Sequence, residues 1–252
     1  LTGNSSFRLI EGDIRDAGVC AGAVKGVDIV MHQAALGSVP RSIANPVATN
    51  DVNVNGFLNM IVASRYAGVK RFVFASSSSV YGDSQEMPKR EENTGKVLSP
   101  YALTKLMNEE YARLFSRLYG METVGLRYFN VFGSRQDPSG PYAAAIPLFT
   151  IRYRNRQSPV INGDGSHSRD FTYIDNVVLA NNLAATVTDS EALNTIYNIA
   201  CGERITIKDL ALRLRKSLSR FDASIADVAL QYDPEREGEV PHSLTSIEKA
   251  KQ

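Results

Sequence analysis

Short apolar runs of strand length recur along the first two-thirds of the chain, each separated from the next by a stretch long enough for a helix. The clearest is "RFVFAS", from Arg71 to Ser76; Phe7–Glu11, Asp28–His32 and "TVGLRYF", from Thr123 to Phe129, read as its companions. A continuous apolar run suits a strand buried on both faces, and strands alternating with crossover helices build a parallel sheet. One helix is expected over 46–67, with Gly68 as its stop, and another over 100–119, stopped by Gly120. Pro46 and Pro100 stand in first helical turns, where proline is tolerated. The pattern points to α/β with a doubly wound parallel sheet.

Beyond about residue 135 the regularity weakens. "AAAIPLFTIRYRNR", "RDFTYIDNVVLANNLAA" and "TIKDLALRLRKSL" read as helices joined by polar loops and short strands, as in a substrate-capping lobe on a nucleotide-binding core. The expected division is 1–135, with a returning segment near 160–187, and 136–252. A dinucleotide-binding fold opens with a strand, a Gly-rich turn and a helix whose N–H groups hold pyrophosphate. Gly18, Gly22 and Gly26 in "GVCAGAVKG" have the wrong spacing for that turn and read as a loosely packed short helix. At roughly 30 residues per βαβ unit, about 60 residues of the same protein are expected ahead of "LTGNSSFRLIEGD", and "IEKAKQ" reads as an end within a helix.

A net charge of +1 over 252 residues argues against a nucleic-acid surface as the main function. No apolar run approaches the roughly 18 residues of a membrane span. Cys20 and Cys201 match no metal or redox spacing and read as reduced core thiols of a cytoplasmic protein. His32, His167 and His242 are scattered, and no metal site is expected.

Chemistry enters with "SPYALTKLMNEEY", residues 99–111, which puts Tyr101 and Lys105 on one helix face. The spacing alone decides nothing, because Tyr66 and Lys70 repeat it across the Gly68 stop. Asp13 and Ile14 follow an expected strand at its carboxyl end, where open α/β sheets bind ligands; Asp13 reads equally well as a helix N-cap. Ser76 to Ser79 place four hydroxyls at the end of a buried strand, costly unless satisfied. Ser76 reads as a cap or turn.

With "GDIRD", "HQAALGSVPRS", "NVNG", "SSSSVYGD", "SPYALTK", "LRYFNVFG" and "SRDFTYIDN" in this order, nearly the whole chain resembles the extended short-chain dehydrogenase/reductase family. Within it the match is to NAD-dependent UDP-hexose 4-epimerases, especially those acting on N-acetylated sugars. The resemblance implies a Rossmann-type sheet, its first βα units lying ahead of this chain, with a smaller α/β substrate-binding lobe and tightly held NAD. Asp13 would accept a hydrogen bond from the adenine amino group and Ile14 would cover the ring. Gln33, Ala34 and Ala35 would pass beside the NAD ribose and pyrophosphate. Asn53 would hold the strand ends near the nicotinamide, Lys105 would bind its ribose and Tyr128 would pack beside it.

The same resemblance gives Tyr101 the proton of the sugar 4-hydroxyl, helped by the Lys105 ammonium, which favours the phenolate. Hydride leaves C4, and the 4-keto sugar turns over and is reduced on its other face. Ser77 would meet O4, while Ser78 and Ser79 would line the hexose. Similar sugar 4,6-dehydratases carry Asp and Glu at the places of Ser78 and Ser79, which disfavours elimination here. Asn130 would bind a phosphate or sugar oxygen, Ala144 and Phe149 would cover the uracil, and Asn162 would lie on the same side. Arg169 and Arg236 would grip the diphosphate and Glu239 the uridine ribose. Gly37, Ser38 and Ser243 are small where enzymes limited to non-acetylated sugars are bulky, leaving room for a 2-acetamido group.

The implied substrate pair is therefore UDP-N-acetylglucosamine and UDP-N-acetylgalactosamine. One rival is a UDP-glucuronate epimerase or decarboxylase, which needs a cation facing C6; Arg41 is the candidate. Another is a non-catalytic NAD-binding module, a class that commonly loses the Tyr or the Lys. The implied partners are a UDP-sugar and a second copy, paired through a four-helix bundle of the 46–67 and 100–119 helices, with no nucleic acid and no membrane.

Overall fold

The computed structural model describes residues 3–138, 144–235 and 242–252. In chain order it forms α1 (Ala17–Ala23), β1 (Ile29–His32), α2 (Val39–Ala44), α3 (Pro46–Asn50), a π-helical turn (Asp51–Asn55), α4 (Gly56–Tyr66), β2 (Arg71–Ser77), α5 (Pro100–Tyr119) and β3 (Glu122–Tyr128). There follow β4 (Val131–Phe132), α6 (Ala145–Arg154), β5 (Val160–Asn162), β6 (Ser168–Arg169), β7 (Thr172–Tyr173), α7 (Ile174–Thr186), β8 (Thr195–Ile199), β9 (Ile205–Thr206), α8 (Ile207–Leu218) and β10 (Gln231–Asp233).

Two compact units result: Leu1–Ser76, Ser99–Leu126 and Asn181–Ile196 form the first, and Ser77–Leu98, Arg127–Ala180 and Tyr197–Gln252 the second. The segment that returns to the first unit is thus 181–196, set beside the 160–187 read from sequence. The largest sheet has the order β1-β2-β3-β8, and β1 runs parallel to β2 with Ile29 opposite Arg71 and His32 opposite Phe74.

In the first unit, α5 starts where Ser99 accepts the Ala102 N–H at 3.1 Å and Pro100 fills the first turn. It ends at Gly120, whose φ of 68° is left-handed. Phe57 and Ile61 from α4, Phe72 and Phe74 from β2, and Ala112 and Phe115 from α5 share one buried core. Phe57 meets Phe72 and Phe74 edge-on, at 5.5 and 5.4 Å between ring centres. Burying each such ring contributes about 1.5–3 kcal/mol.

Three expectations are corrected here. Phe7–Glu11 forms no strand, and Leu9 is 63% exposed; a strand needs a ladder partner, and this stretch has none among the described residues. The 46–67 helix is not uniform: the Gly56 N–H bonds back five residues to the Asp51 carbonyl, and the inserted residue turns Asn53 and Val54 inward. Cys20 is buried, but Cys201 is exposed, because it lies in the turn after β8 rather than in a packed element.

The second unit is built from two-stranded pairs: β5 with β10 and β4 with β7, both parallel, and β6 antiparallel to β9. Phe149 and Tyr153 of α6 pack with Ile161, Ala211, Ile225 and Val228 into its core. Among the described residues no helix is long and apolar enough to cross a membrane.

Candidate active site

In the first unit the candidate functional groups gather where β1 and β2 end and α5 begins. Tyr101 is half-buried in the first turn of α5, and the Thr104 hydroxyl donates to its carbonyl at 2.8 Å. Lys105, one turn on, is 2% exposed, and its ammonium donates to the Ala75 carbonyl of β2 at 2.8 Å. Burial pulls Lys105 down from 10.5 to about 8, and the Glu109 carboxylate opposes that fall. His32, buried on β1, is lowered to about 4 by burial and then by the Lys105 charge.

Asn53 is 1% exposed and clamps the segment after β1 in both directions. Its Oδ1 accepts the Leu36 N–H at 2.7 Å, and its Nδ2 donates to the Leu36 carbonyl and to Thr104 Oγ1, both at 3.1 Å. One amide thus ties the β1 loop to the turn carrying Tyr101. The clamped loop is lined by small residues: Ala34 is exposed, Ala35 half-buried, and a Cβ on Gly37 would meet nothing within 4 Å. Gln33 donates to Asn181 at 2.9 Å, and Ser38 caps α2 by accepting the Arg41 N–H at 3.2 Å.

Asp13 is not a helix N-cap; Asp16 caps α1. Asp13 holds Arg15 instead, at 2.6 Å, and that hydrogen-bonded guanidinium lowers the carboxyl to about 2. Ile14 packs on Gly56, where a Cβ would approach its Cδ1 to 2.6 Å.

The serine run divides differently from expectation. Ser76 is buried and donates to Glu109 Oε1, while Ser77 provides the cap, accepting the Ser79 N–H at 3.2 Å and the Ser79 hydroxyl at 3.0 Å. Geometry explains this: Ser76 still lies within the buried run of β2, and the chain turns only after Ser77.

In the second unit, Asn130, Ala144, Phe149, Asn162 and Arg169 line one cavity of about 260 Å³. Ser78, Ser79 and Ser243 line a second of about 140 Å³, and Asn130 and Arg169 belong to both. Eight residues assigned to the substrate from sequence therefore meet around two adjoining cavities. Arg236 and Glu239 lie outside the described residues. Tyr128, at the end of β3, is half-buried.

Several contributors escaped the sequence. Lys89 and His242 line the smaller cavity and His167 the larger; none stands in a motif that marks it. Lys89 is 3% exposed, lowered by burial, and donates to the Ser84 carbonyl. Asp170 is fully buried: it accepts the N–H groups of Cys201 and Gly202 at 3.0 and 3.1 Å, its own N–H donates to Ser243 Oγ at 3.2 Å, and its carbonyl accepts from Asn130 at 2.9 Å. Burial raises its carboxyl above 3.8 against those donors. Its place in "SRDFTYIDN" was the available signal.

Residues 2–200 match the model of the NAD dependent epimerase/dehydratase family. A putative UDP-glucose 4-epimerase of Methanocaldococcus jannaschii is 38% identical over 249 residues, 98% of this chain and 78% of that protein. A solved UDP-N-acetylglucosamine 4-epimerase of Methanobrevibacter ruminantium, in complex with UDP-N-acetylmuramic acid, superposes with a TM-score of 0.88 at 40% identity, covering 96% of this chain and 74% of its own. The UDP-glucose 4-epimerase of Thermotoga maritima, solved with UDP-glucose, gives a TM-score of 0.90 at 32% identity over 98% of this chain and 78% of its own. With the Tyr101–Lys105 pair in the first turns of α5 and the sheet behind it, these matches make the chain a member of the NAD-dependent epimerase/dehydratase family.

Proposed function

We propose that the protein interconverts UDP-N-acetylglucosamine and UDP-N-acetylgalactosamine by inverting C4. The coarser reading, an NAD-dependent UDP-sugar 4-epimerase, rests on the family and on relatives with that activity. The acetamido sugar rests on one observation above all: Ser243, Ser78 and Ser79 edge the smaller cavity with short side chains.

Tyr101 is the base in this reading: it takes the proton of the sugar 4-hydroxyl and later returns one to O4. Lys105 stands one turn away on the same face of α5, where its positive charge would favour the phenolate. Ser77 donates to O4 and keeps the oxygen placed while the 4-keto sugar turns over. Asn130 and Arg169 take the diphosphate and the adjoining sugar oxygens, and Phe149 offers its ring to the uracil. Gly37 and Ser38 leave room on the sugar side of the β1 loop.

The residues of the first unit fit NAD, because the clamped loop after β1 presents small side chains and exposed backbone at a strand's carboxyl end. Gln33, Ala34, Ala35 and Lys105 would hold the cofactor along that edge, with Asp13 and Ile14 at its adenine end. NAD, when bound, supplies the acceptor and donor of the C4 hydride.

Leu103, Leu114 and Leu118 form an exposed apolar stripe along α5, and Tyr66 is 77% exposed at the end of α4. That stripe supports a homodimer through a four-helix bundle of these two helices.

A second reading, a UDP-hexuronate substrate, is favoured by Lys89, Arg169 and His242 around the smaller cavity, which no carboxylate lines among the described residues. Proton NMR of UDP-GlcNAc, UDP-glucose and UDP-glucuronate, each incubated with the full-length protein, separates the two. Fastest conversion of UDP-GlcNAc to UDP-GalNAc is expected; turnover of UDP-glucuronate alone would transfer the assignment to the second reading.

A further inference from the structure

Glu109 is a buried acid that the proposed reaction does not use. It is 2% exposed on α5, one turn beyond Lys105, and it accepts the hydroxyl proton of Ser76. Ser76 follows Ala75, whose carbonyl holds the Lys105 ammonium at 2.8 Å. Lys105 and Glu109 on the helix therefore engage two successive residues of β2, immediately before Ser77.

A buried ammonium keeps its proton only where a negative charge offsets the loss of water.

We propose that Glu109 is a positioning residue, which keeps the Lys105 ammonium charged and seated against the end of β2. The inference rests on Lys105 acting beside Tyr101 as described above. Ala75 offers a carbonyl, His32 on β1 is held neutral by burial and by Lys105 itself, and Tyr101 lies one turn back on α5. Glu109 is the acidic group whose charge acts on Lys105, and it raises the ammonium against the burial that lowers it to about 8. Without it, Lys105 loses its proton at lower pH, and the phenol of Tyr101 loses its cationic neighbour within the working range.

The test compares Glu109→Gln, which keeps an acceptor for Ser76 and removes the charge, with Glu109→Asp, which keeps the charge. Two readouts are taken on the full-length protein with NAD. One is the pH profile of kcat for UDP-GlcNAc. The other is the titration of Lys105 by ¹³C NMR of ε-labelled lysine, assigned with Lys105→Arg. In Glu109→Gln the lysine midpoint and the alkaline limb of kcat are both expected to move down by about one pH unit, with Glu109→Asp close to the parent. A parental midpoint, or a lowered midpoint with an unmoved limb, overturns the proposal. Should Glu109→Gln fail to fold, Ser76→Ala, which loosens the carboxylate, is read the same way, and a parental midpoint there overturns it. The NMR titration needs no turnover, so a Tyr101→Phe enzyme that stays active would sink the catalytic reading while leaving Glu109's effect on Lys105 measurable.

Discussion

The groups around Tyr101 in the first unit and those lining the cavities of the second are held in opposite ways, with Asp170 and Lys89 the buried exceptions in the second. In the first, the groups around Tyr101 are buried and paired: Asn53 with the Leu36 backbone, Thr104 with the Tyr101 carbonyl, Lys105 with Ala75, Ser76 with Glu109. In the second, Asn130, Asn162, Arg169 and Ser243 are half-buried around cavities, carried by two- and three-residue strands and loops. Deep burial fixes a pKa and a direction, as acid–base chemistry requires. Partial exposure around a cavity leaves side chains to select a ligand by size and charge. Substitutions in the first unit should therefore change rate and stability, and those in the second should change which sugar is accepted.

The largest expected effect is Tyr101→Phe, which removes the proposed acid–base group and leaves its backbone contact with Thr104 in place. Turnover of UDP-GlcNAc should fall on the order of 10²–10⁴-fold; retention of more than a tenth of the parental kcat would break the assignment. Next comes His32, whose imidazole is lowered from 6.5 to about 4 by burial, then by Lys105. Because the folded form resists the proton that the unfolded chain accepts, this stability is fully present above pH 6.5 and is lost as pH falls towards 4. The loss should approach about 3 kcal/mol, read from urea unfolding at pH 7 and pH 4.5, and should shrink in His32→Gln. An equal acid loss in that variant would assign the effect to other groups.

The same contrast governs what could be read in advance. α5 was legible to the residue, because Ser99, Pro100 and Gly120 are capping signals local to the chain. β2 was legible because a run such as "RFVFAS" has few other uses. The π-turn at 51–55 was not, since nothing local distinguishes an i→i+5 bond from an ordinary helical one; it exists to turn Asn53 towards Leu36, a tertiary demand. Nor was the exchange of roles between Ser76 and Ser77, which depends on Glu109, 33 residues from Ser76 in sequence. Strands as short as β4, β6, β7 and β9 carry no readable period. The residues of both cavities came from motif resemblance, and Lys89 and His242, which stand in no motif, were missed.

Ser243 is the place where the second unit's behaviour can be tested against the first. Its hydroxyl accepts the Asp170 N–H at 3.2 Å and lies 3.5 Å from Asn130 Nδ2, so the side chain is small, half-buried and held at the rim of the 140 Å³ cavity. Ser243→Tyr puts a ring where an acetamido group would need room and removes an acceptor from Asp170. The lost hydrogen bond should cost about 1 kcal/mol, which is small beside the stability of a domain. The steric effect should be selective, lowering kcat/KM for UDP-GlcNAc roughly tenfold or more while sparing UDP-glucose. Equal losses for the two sugars would mean that the substitution acts through Asp170 and the fold, as a first-unit substitution does. A large gate excludes the acetamide whereas a small one merely admits it, so the ratio of the two sugars carries the information that either rate alone does not.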